Sequence, residues 1–320
     1  MDKGLERFYE LLPLQKPFLS DNTLSTAPKV SVLVATYQHA PYISHCLNGI
    51  LQQKTNFDIE IIVGEDESND GTREICIDFA KKYPDKIKLF LRKRSESQYF
   101  ENASKKCGFN GLWNLVEAKG KYVAWCEGDD IWTDPLKLQK QVDLLDARSD
   151  LVMCFTNIQH INDKGQYLKT THFQYPDNEF SFEQYIAKVF PPTLSTIFKK
   201  DAFPAAIPYQ LLYVFNRDMF IKALVAQHGK VIFLKDVTAA YRIHGGGIYS
   251  SSSNTKKMND KLNTFKVMYH YFDNSAAKTN ILKAYQKALI KYIYFNIRNL
   301  NFKEIFTGVF SLIKSWFNKI

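Results

Sequence analysis

The densest chemistry in this chain lies between Lys121 and Pro135, around Glu127-Gly128-Asp129-Asp130. Three carboxylates fall within four residues there. Such groups repel one another. A hard divalent cation held through oxygen relieves the repulsion and can bridge to a substrate's phosphates. A solvated acidic turn is the other reading, because Asp suits turns. At this level both are open.

A cation site needs a rigid platform. Residues 122–126 form a short apolar run that reads as a buried strand. Asp134-Pro135 then reads as a helix start, with Asp capping free N–H groups and Pro at the first helical position. The carboxylates are therefore expected at the C-terminal end of a strand, where open α/β sheets bind ligands.

The preceding chain builds the same pattern. Residues 29–35 (KVSVLVA), 59–63 and 87–91 read as strands. Helices are expected from Pro41, over 72–82 and over 109–118. Near-continuous apolar strands alternating with amphipathic helices indicate an α/β fold with a mostly parallel sheet covered on both faces. Beyond it, 136–147 reads as a helix and 150–157 as a strand. Residues 163–165 form a turn. Helices over 180–189 and 217–228 and strands over 194–198, 231–234 and 238–243 follow. No linker separates this second half, so it is expected to complete one fold. The expected division is a preamble over 1–28, a main domain over 29–250 and a helical extension over 251–320.

Composition narrows the classes. The chain has 320 residues, 45% of them hydrophobic, enough for a substantial core. Its opening Met1-Asp2-Lys3-Gly4 carries no apolar core segment, so no secretory signal is expected. No uninterrupted apolar stretch reaches membrane-spanning length. Five scattered cysteines show no paired or zinc-like spacing and read as core thiols of a reducing cytoplasm. The net charge is +9, of which residues 281–320 carry +6. In that tail Lys283, Lys287, Lys291 and Arg298 fall nearly on one helical face. Ile305, Phe306, Val309, Leu312, Ile313, Trp316 and Phe317 form an apolar stripe. An anionic membrane surface would suit it. So would packing on the main domain or on another subunit of a homo-oligomer. No nucleic-acid module accompanies the basic charge, so no nucleic-acid partner is expected.

Several stretches now line up: Val34-Ala35-Thr36-Tyr37, residues 64–72 (GEDESNDGT), Glu127-Gly128-Asp129-Asp130 with Trp132 to Pro135, Asn216-Arg217-Asp218 and Tyr241-Arg242-Ile243-His244. In this order they resemble the family 2 glycosyltransferases of the GT-A fold, over about residues 29–247. The resemblance implies a Rossmann-like central sheet with a nucleotide-sugar, usually a UDP-sugar, across the C-terminal ends of its strands. Thr36 and Tyr37 would line the nucleotide site. Asp66 would accept from the uracil N3–H, since a carboxylate accepts and N3 donates. A turn-capping role for Asp66 stays open, as does the choice between Arg92 and Arg94 beside the nucleotide.

Glu127-Gly128-Asp129 occupies the place of the family's D-x-D motif, with Glu in place of the first Asp. The resemblance makes Asp129 the main ligand of Mn²⁺ or Mg²⁺. Glu127 would contact ribose or reach the metal through water, and Asp130 would contact the sugar or brace the loop. Asp218 stands at the catalytic-base position of an inverting transfer. His244 would serve as metal ligand, diphosphate partner or loop anchor; no second His marks a cluster in the sequence. Arg242 would contact diphosphate or form an ion pair. Trp132 is expected to pack the turn. The implied activity is metal-dependent sugar transfer to a glycan, lipid-linked or protein acceptor in surface polysaccharide or lipopolysaccharide assembly. Its expected place is the cytoplasm or the cytoplasmic membrane face. The alternatives are an inactive nucleotide-sugar-binding protein and an interaction protein acting through the basic tail. A third alternative, an NAD-dependent oxidoreductase, needs a Gly-rich turn after the first strand, yet Ala35-Thr36-Tyr37-Gln38-His39 contains no glycine.

Overall fold

The computed structural model describes residues 2–19, 25–97, 109–175, 177–247 and 251–317. Part of the expected 21–28 loop, Cys107 and Ser250 at the expected boundary lie outside the described residues.

The chain opens with α1 (Lys3–Leu11), whose first N–H groups are capped by the Asp2 carboxylate. Pro13 follows in a single 3₁₀ turn. Then come β1 (Val30–Thr36), α2 (Ile43–Leu51), β2 (Ile59–Asp66), α3 (Thr72–Lys82), β3 (Ile87–Arg92), the short α4 (Arg94–Ser97), α5 (Asn110–Glu117) and β4 (Tyr122–Trp125). The strands β3, β2, β1 and β4 are neighbours in that order and all run parallel. Their apolar residues are buried on both faces, as runs such as Val-Ser-Val-Leu-Val require. Residues of α2, α3 and α6 cover one face; residues of α1, α5, α7 and α8 cover the other. Here α6 is Lys137–Ala147, α7 is Phe182–Lys188 and α8 is Arg217–Ala226.

The second half continues the same sheet through β5 (Ile131–Trp132), β6 (Leu151–Asn162), β7 (Tyr167–Thr171), β8 (Glu179–Phe180), β9 (Ile197–Lys199) and β10 (Lys230–Ile243). The short β9 pairs antiparallel with both β4 and β6 and so joins the two halves. The sheet is therefore mixed, with a parallel first half and an antiparallel seam.

Four local expectations change. The strand expected over 194–198 is a 3₁₀ turn (Thr193–Ser195) that leads into the three-residue β9, because the Ser195 and Thr196 N–H groups donate back to the Pro192 and Thr193 carbonyls. Helix α6 starts at Lys137 rather than at Asp134-Pro135. The N–H groups of Thr133 and Asp134 donate to the Thr238 carbonyl, and Ile131-Trp132 pairs with β10, so sheet-edge bonding holds this stretch extended. Asp134 instead caps a turn by accepting from the Leu136 N–H at 2.9 Å. The strands expected over 231–234 and 238–243 form one strand, β10, irregular around Val237. The turn at 163–165 leads into β7, a strand that pairs antiparallel with β6 and has no counterpart among the expected elements; Gly165 supplies the turn's positive φ of 79°.

Three helices close the chain: α9 (Asn254–Tyr271), α10 (Ser275–Arg298) and α11 (Phe302–Trp316). The first two are N-capped by Ser253 and Asn274. Among the described residues no helix is long and apolar enough to cross a membrane.

Candidate active site

A cleft of about 680 Å³ opens at the C-terminal ends of β1, β2 and β4. Thr36, Tyr37, Asp66, Glu127, Asp129, Asp130 and Asp218 all line it. Gly128, Arg242 and His244 are not in the lining but are bonded or packed against it.

The acidic turn rises from β4 on a short extension of the sheet. The Cys126 and Gly128 N–H groups donate to the Leu33 and Ala35 carbonyls of β1. A Cβ on Gly128 would lie 2.5 Å from Thr36 Oγ1 and 2.9 Å from His39 Nδ1. Only glycine lets the turn come this close to β1. The next residue, Asp129, points Oδ2 at two imidazoles. His244 Nε2 lies at 2.9 Å and His39 Nε2 at 3.7 Å. His39 reaches this place from the loop after β1, where Gln38 turns the backbone through a left-handed conformation (φ 56°). Its Nδ1 lies 3.2 Å from Thr36 Oγ1. The lone histidine of the sequence reading is thus one of a pair.

Charge is balanced unevenly over the turn. Burial works to raise the Asp129 carboxyl, but the hydrogen bond from His244 and the nearby His39 outweigh it, so its pKa falls below the ordinary value. Burial pushes His39 down, favouring the neutral imidazole that ligates metals. Burial, with the charges of Asp129 and Asp218, pushes Glu127 up to about 8. Burial and then Asp129 push Asp130 well up, although the Arg242 backbone N–H donates to its Oδ1 at 2.9 Å. The ligand atoms of His39, Asp129 and His244 all lie within 4.8 Å of one another, a donor set able to hold a divalent ion.

Asp218 sits in the first turn of α8, where the helix dipole favours an anion. Thr193 Oγ1 and Lys222 Nζ both donate to its Oδ2 at 2.8 Å. Lys222 is buried and also donates to the Pro191 carbonyl at 2.6 Å. Burial opposes the charge on Asp218. The Lys222 ammonium and the Thr193 hydroxyl more than offset it, so the carboxyl stays below its usual pKa.

At the far end of the cleft, Arg94 Nη1 donates to Asp66 Oδ2 at 2.7 Å, and its guanidinium lies 3.7 Å over the Tyr37 ring. Of the two arginines at the end of β3 and just beyond it, Arg94 lines the cleft. Arg92 is buried beside Phe90 and Trp113 and donates to the Asn110 carbonyl at 2.8 Å. Arg242 braces the acidic turn from behind. Its Nε donates to the Asp129 carbonyl at 2.9 Å, and its Nη1 to the carbonyls of Asn162 and Asp163. Trp132 packs as expected, with its indole N–H on the Leu194 carbonyl at 2.9 Å. Of the aromatics in 163–210, Tyr185 and Phe190 reach the cleft, while Tyr167 is exposed on β7.

Sequence reasoning missed His39, Thr193 and Lys222. A signal existed for two of them. His39 closes the same polar loop as Thr36 and Tyr37, and Lys222 lies at i+4 from Asp218, one helical turn away. Nothing in the sequence ties Thr193 to Asp218.

Comparison with known proteins gives the family and the fold. The family model described as Glycosyl transferase family 2 matches residues 31–204. An uncharacterized protein of Mycobacterium tuberculosis is 31% identical over 225 residues, 70% of this chain and 61% of that protein. The match thus spans less than two thirds of that relative's length. An uncharacterized glycosyltransferase of Nostoc sp. is 26% identical over 306 residues, 90% of this chain and 89% of that protein. Among solved structures, S. aureus TarS 1–349 in complex with UDP-GlcNAc matches with a TM-score of 0.62 at 16% identity, over 90% of this chain and 81% of that one. The mannosyltransferase PcManGT from Pyrobaculum calidifontis, in complex with GDP-Man and Mn²⁺, matches with a TM-score of 0.56 at 16% identity, over 89% and 79%. These two likenesses concern the fold.

Proposed function

This chain belongs to glycosyl transferase family 2, and from that membership we propose that it is an inverting, metal-dependent glycosyltransferase. Its donor is a UDP-sugar, and its acceptor is a hydroxyl of a glycan, lipid-linked or protein-linked molecule. One observation carries the reading. The Asp129 carboxylate, flanked by two imidazoles, and the Asp218 carboxylate line a single cleft, and both charges are felt at Glu127.

Each residue has a part in this proposal. Thr36, Tyr37 and Asp66 hold the nucleoside. Asp66 accepts from a base N–H and shares that carboxylate with Arg94. Glu127 faces the ribose and Asp130 keeps the turn rigid. Asp129, His39 and His244 would hold the ion, and two imidazole nitrogens favour Mn²⁺ over Mg²⁺. When bound, the ion neutralises the diphosphate as it leaves. Asp218 takes the proton from the acceptor hydroxyl as that oxygen attacks the anomeric carbon from the opposite side. Lys222 and Thr193 keep Asp218 ionised and aimed. The solved relatives that carry UDP-GlcNAc, or GDP-Man with Mn²⁺, support a nucleotide-sugar donor and a manganese ion. The reaction belongs in the cytoplasm or at its membrane face, in keeping with the buried free thiols Cys46, Cys76, Cys126 and Cys154.

Calorimetry with UDP-, GDP- and dTDP-sugars, each with and without Mn²⁺, tests the proposal. Manganese-dependent binding of a UDP-sugar is expected. Binding that ignores Mn²⁺, or that survives Asp129→Ala unchanged, would overturn the metal assignment.

A further inference from the structure

Helix α11 is packed the wrong way round for a protein surrounded by water. Its inward face is small and polar: Gly308 and Ser315 are buried, and Glu304 accepts from the Tyr292 hydroxyl of α10. The fit is close, since a Cβ on Gly308 would lie 2.7 Å from Ile293 Cγ1. The apolar stripe expected from the sequence divides. Ile305 and Leu312 are half-buried, while Phe306, Val309, Ile313, Trp316 and Phe317 face outward, joined by Phe302 and Phe310. Phe306 is 74% exposed and Trp316 66%. On α10 the neighbouring Ile290, Tyr294 and Ile297 are also exposed. Water-soluble monomers rarely leave so many large apolar side chains uncovered on two packed helices.

The charge around the patch identifies what covers it. Lys287, Lys291, Arg298, Lys303 and Lys314 are all exposed on the same two helices. A second copy laid on this face would bring like charges together. An anionic bilayer surface offers apolar depth for the aromatics and negative headgroups for the lysines. We propose that the outer face of α10 and α11 is a membrane-docking surface that lies in the interface of an anionic bilayer without spanning it. The inference does not depend on the sugar-transfer reading.

The four tryptophans make the test direct. Trp113, Trp125 and Trp132 are buried, so a fluorescence change on adding vesicles reports Trp316. The full chain is mixed with vesicles of phosphatidylcholine alone or of phosphatidylcholine with phosphatidylserine. Flotation and a blue shift with the anionic vesicles are expected, and Trp316→Phe should abolish the shift but not flotation. Phe306→Ser with Phe310→Ser should weaken binding about tenfold or more at an unchanged melting temperature, because neither residue is in the packed face. Lys303→Gln and Lys314→Gln should each cost about fivefold on anionic vesicles. Absence of flotation would overturn the proposal. So would a concentration-dependent dimer that the Phe306→Ser, Phe310→Ser variant converts to monomer while wild-type chain ignores vesicles.

Discussion

Lys222 and Asp218 stand one turn apart on α8, and the Lys222 ammonium donates to Asp218 Oδ2 across 2.8 Å. Lys222 also anchors to the Pro191 carbonyl, so the ion pair links α8 to the segment before β9. The pair holds the proposed base charged although burial opposes that charge. Lys222→Met removes the cation that lowers the Asp218 pKa most. That pKa should rise, and activity, which needs the ionised form, should fail at a higher pH than in wild type. The acidic limb of the kcat/KM profile moves upward, and Lys222→Arg restores most of the shift. An unmoved limb would limit Lys222 to a structural part.

Asp218→Asn keeps the hydroxyl contact of Thr193 and the shape of the cleft but cannot take a proton. Transfer should fall by about 10²–10⁴-fold, the usual weight of a general base. Donor affinity by calorimetry should stay within experimental error of wild type. Near-normal turnover would remove Asp218 from the role.

Gly128→Ala and His39→Ala attack the metal cluster from two sides. The first forces a Cβ against Thr36 and His39 and pushes Asp129 out of place. The second removes one ligand nitrogen. Each should weaken Mn²⁺ binding, titrated with the metal alone, by roughly 10–100-fold. Unchanged affinity in His39→Ala would leave Asp129 and His244 as the working ligands.

Lys137 is buried in α6, donates to Gln141 Oε1 at 2.7 Å and lies 4.5 Å over the Trp132 ring. Burial lowers its pKa from 10.5 to about 8. Between those values the unfolded chain holds the extra proton, so this group's contribution to stability rises with pH across that window. The stability difference between wild type and Lys137→Met should move toward wild type by about 3 kcal/mol from pH 7.5 to pH 10.5. Urea denaturation at both ends of the range measures it. A constant difference would mean that Lys137 is not titrating in the folded protein.

The sequence by itself determined the alternation of strands and helices through residue 118, because buried parallel strands and amphipathic helices leave strong local periodicities. It also located the acidic turn at the end of β4 and the amphipathic tail, since clustered charge and helical spacing are local properties. The structure brings Thr36, Tyr37, Asp66, Glu127, Asp129, Asp130 and Asp218 to one cleft. Only the tertiary structure decided the rest. His39 meets His244 because β1 and β10 end on the same side of one sheet, a relation that no local pattern records. Thr193 meets Asp218 through packing of the β9 approach against α8. Competition from β10 for the Thr133 and Asp134 N–H groups delayed α6, overriding a good capping sequence. For α11 the sequence showed an apolar stripe but not its direction. The close approach of Gly308 to Ile293 and Tyr292 turned most of that stripe outward, because only a glycine face could sit so near α10.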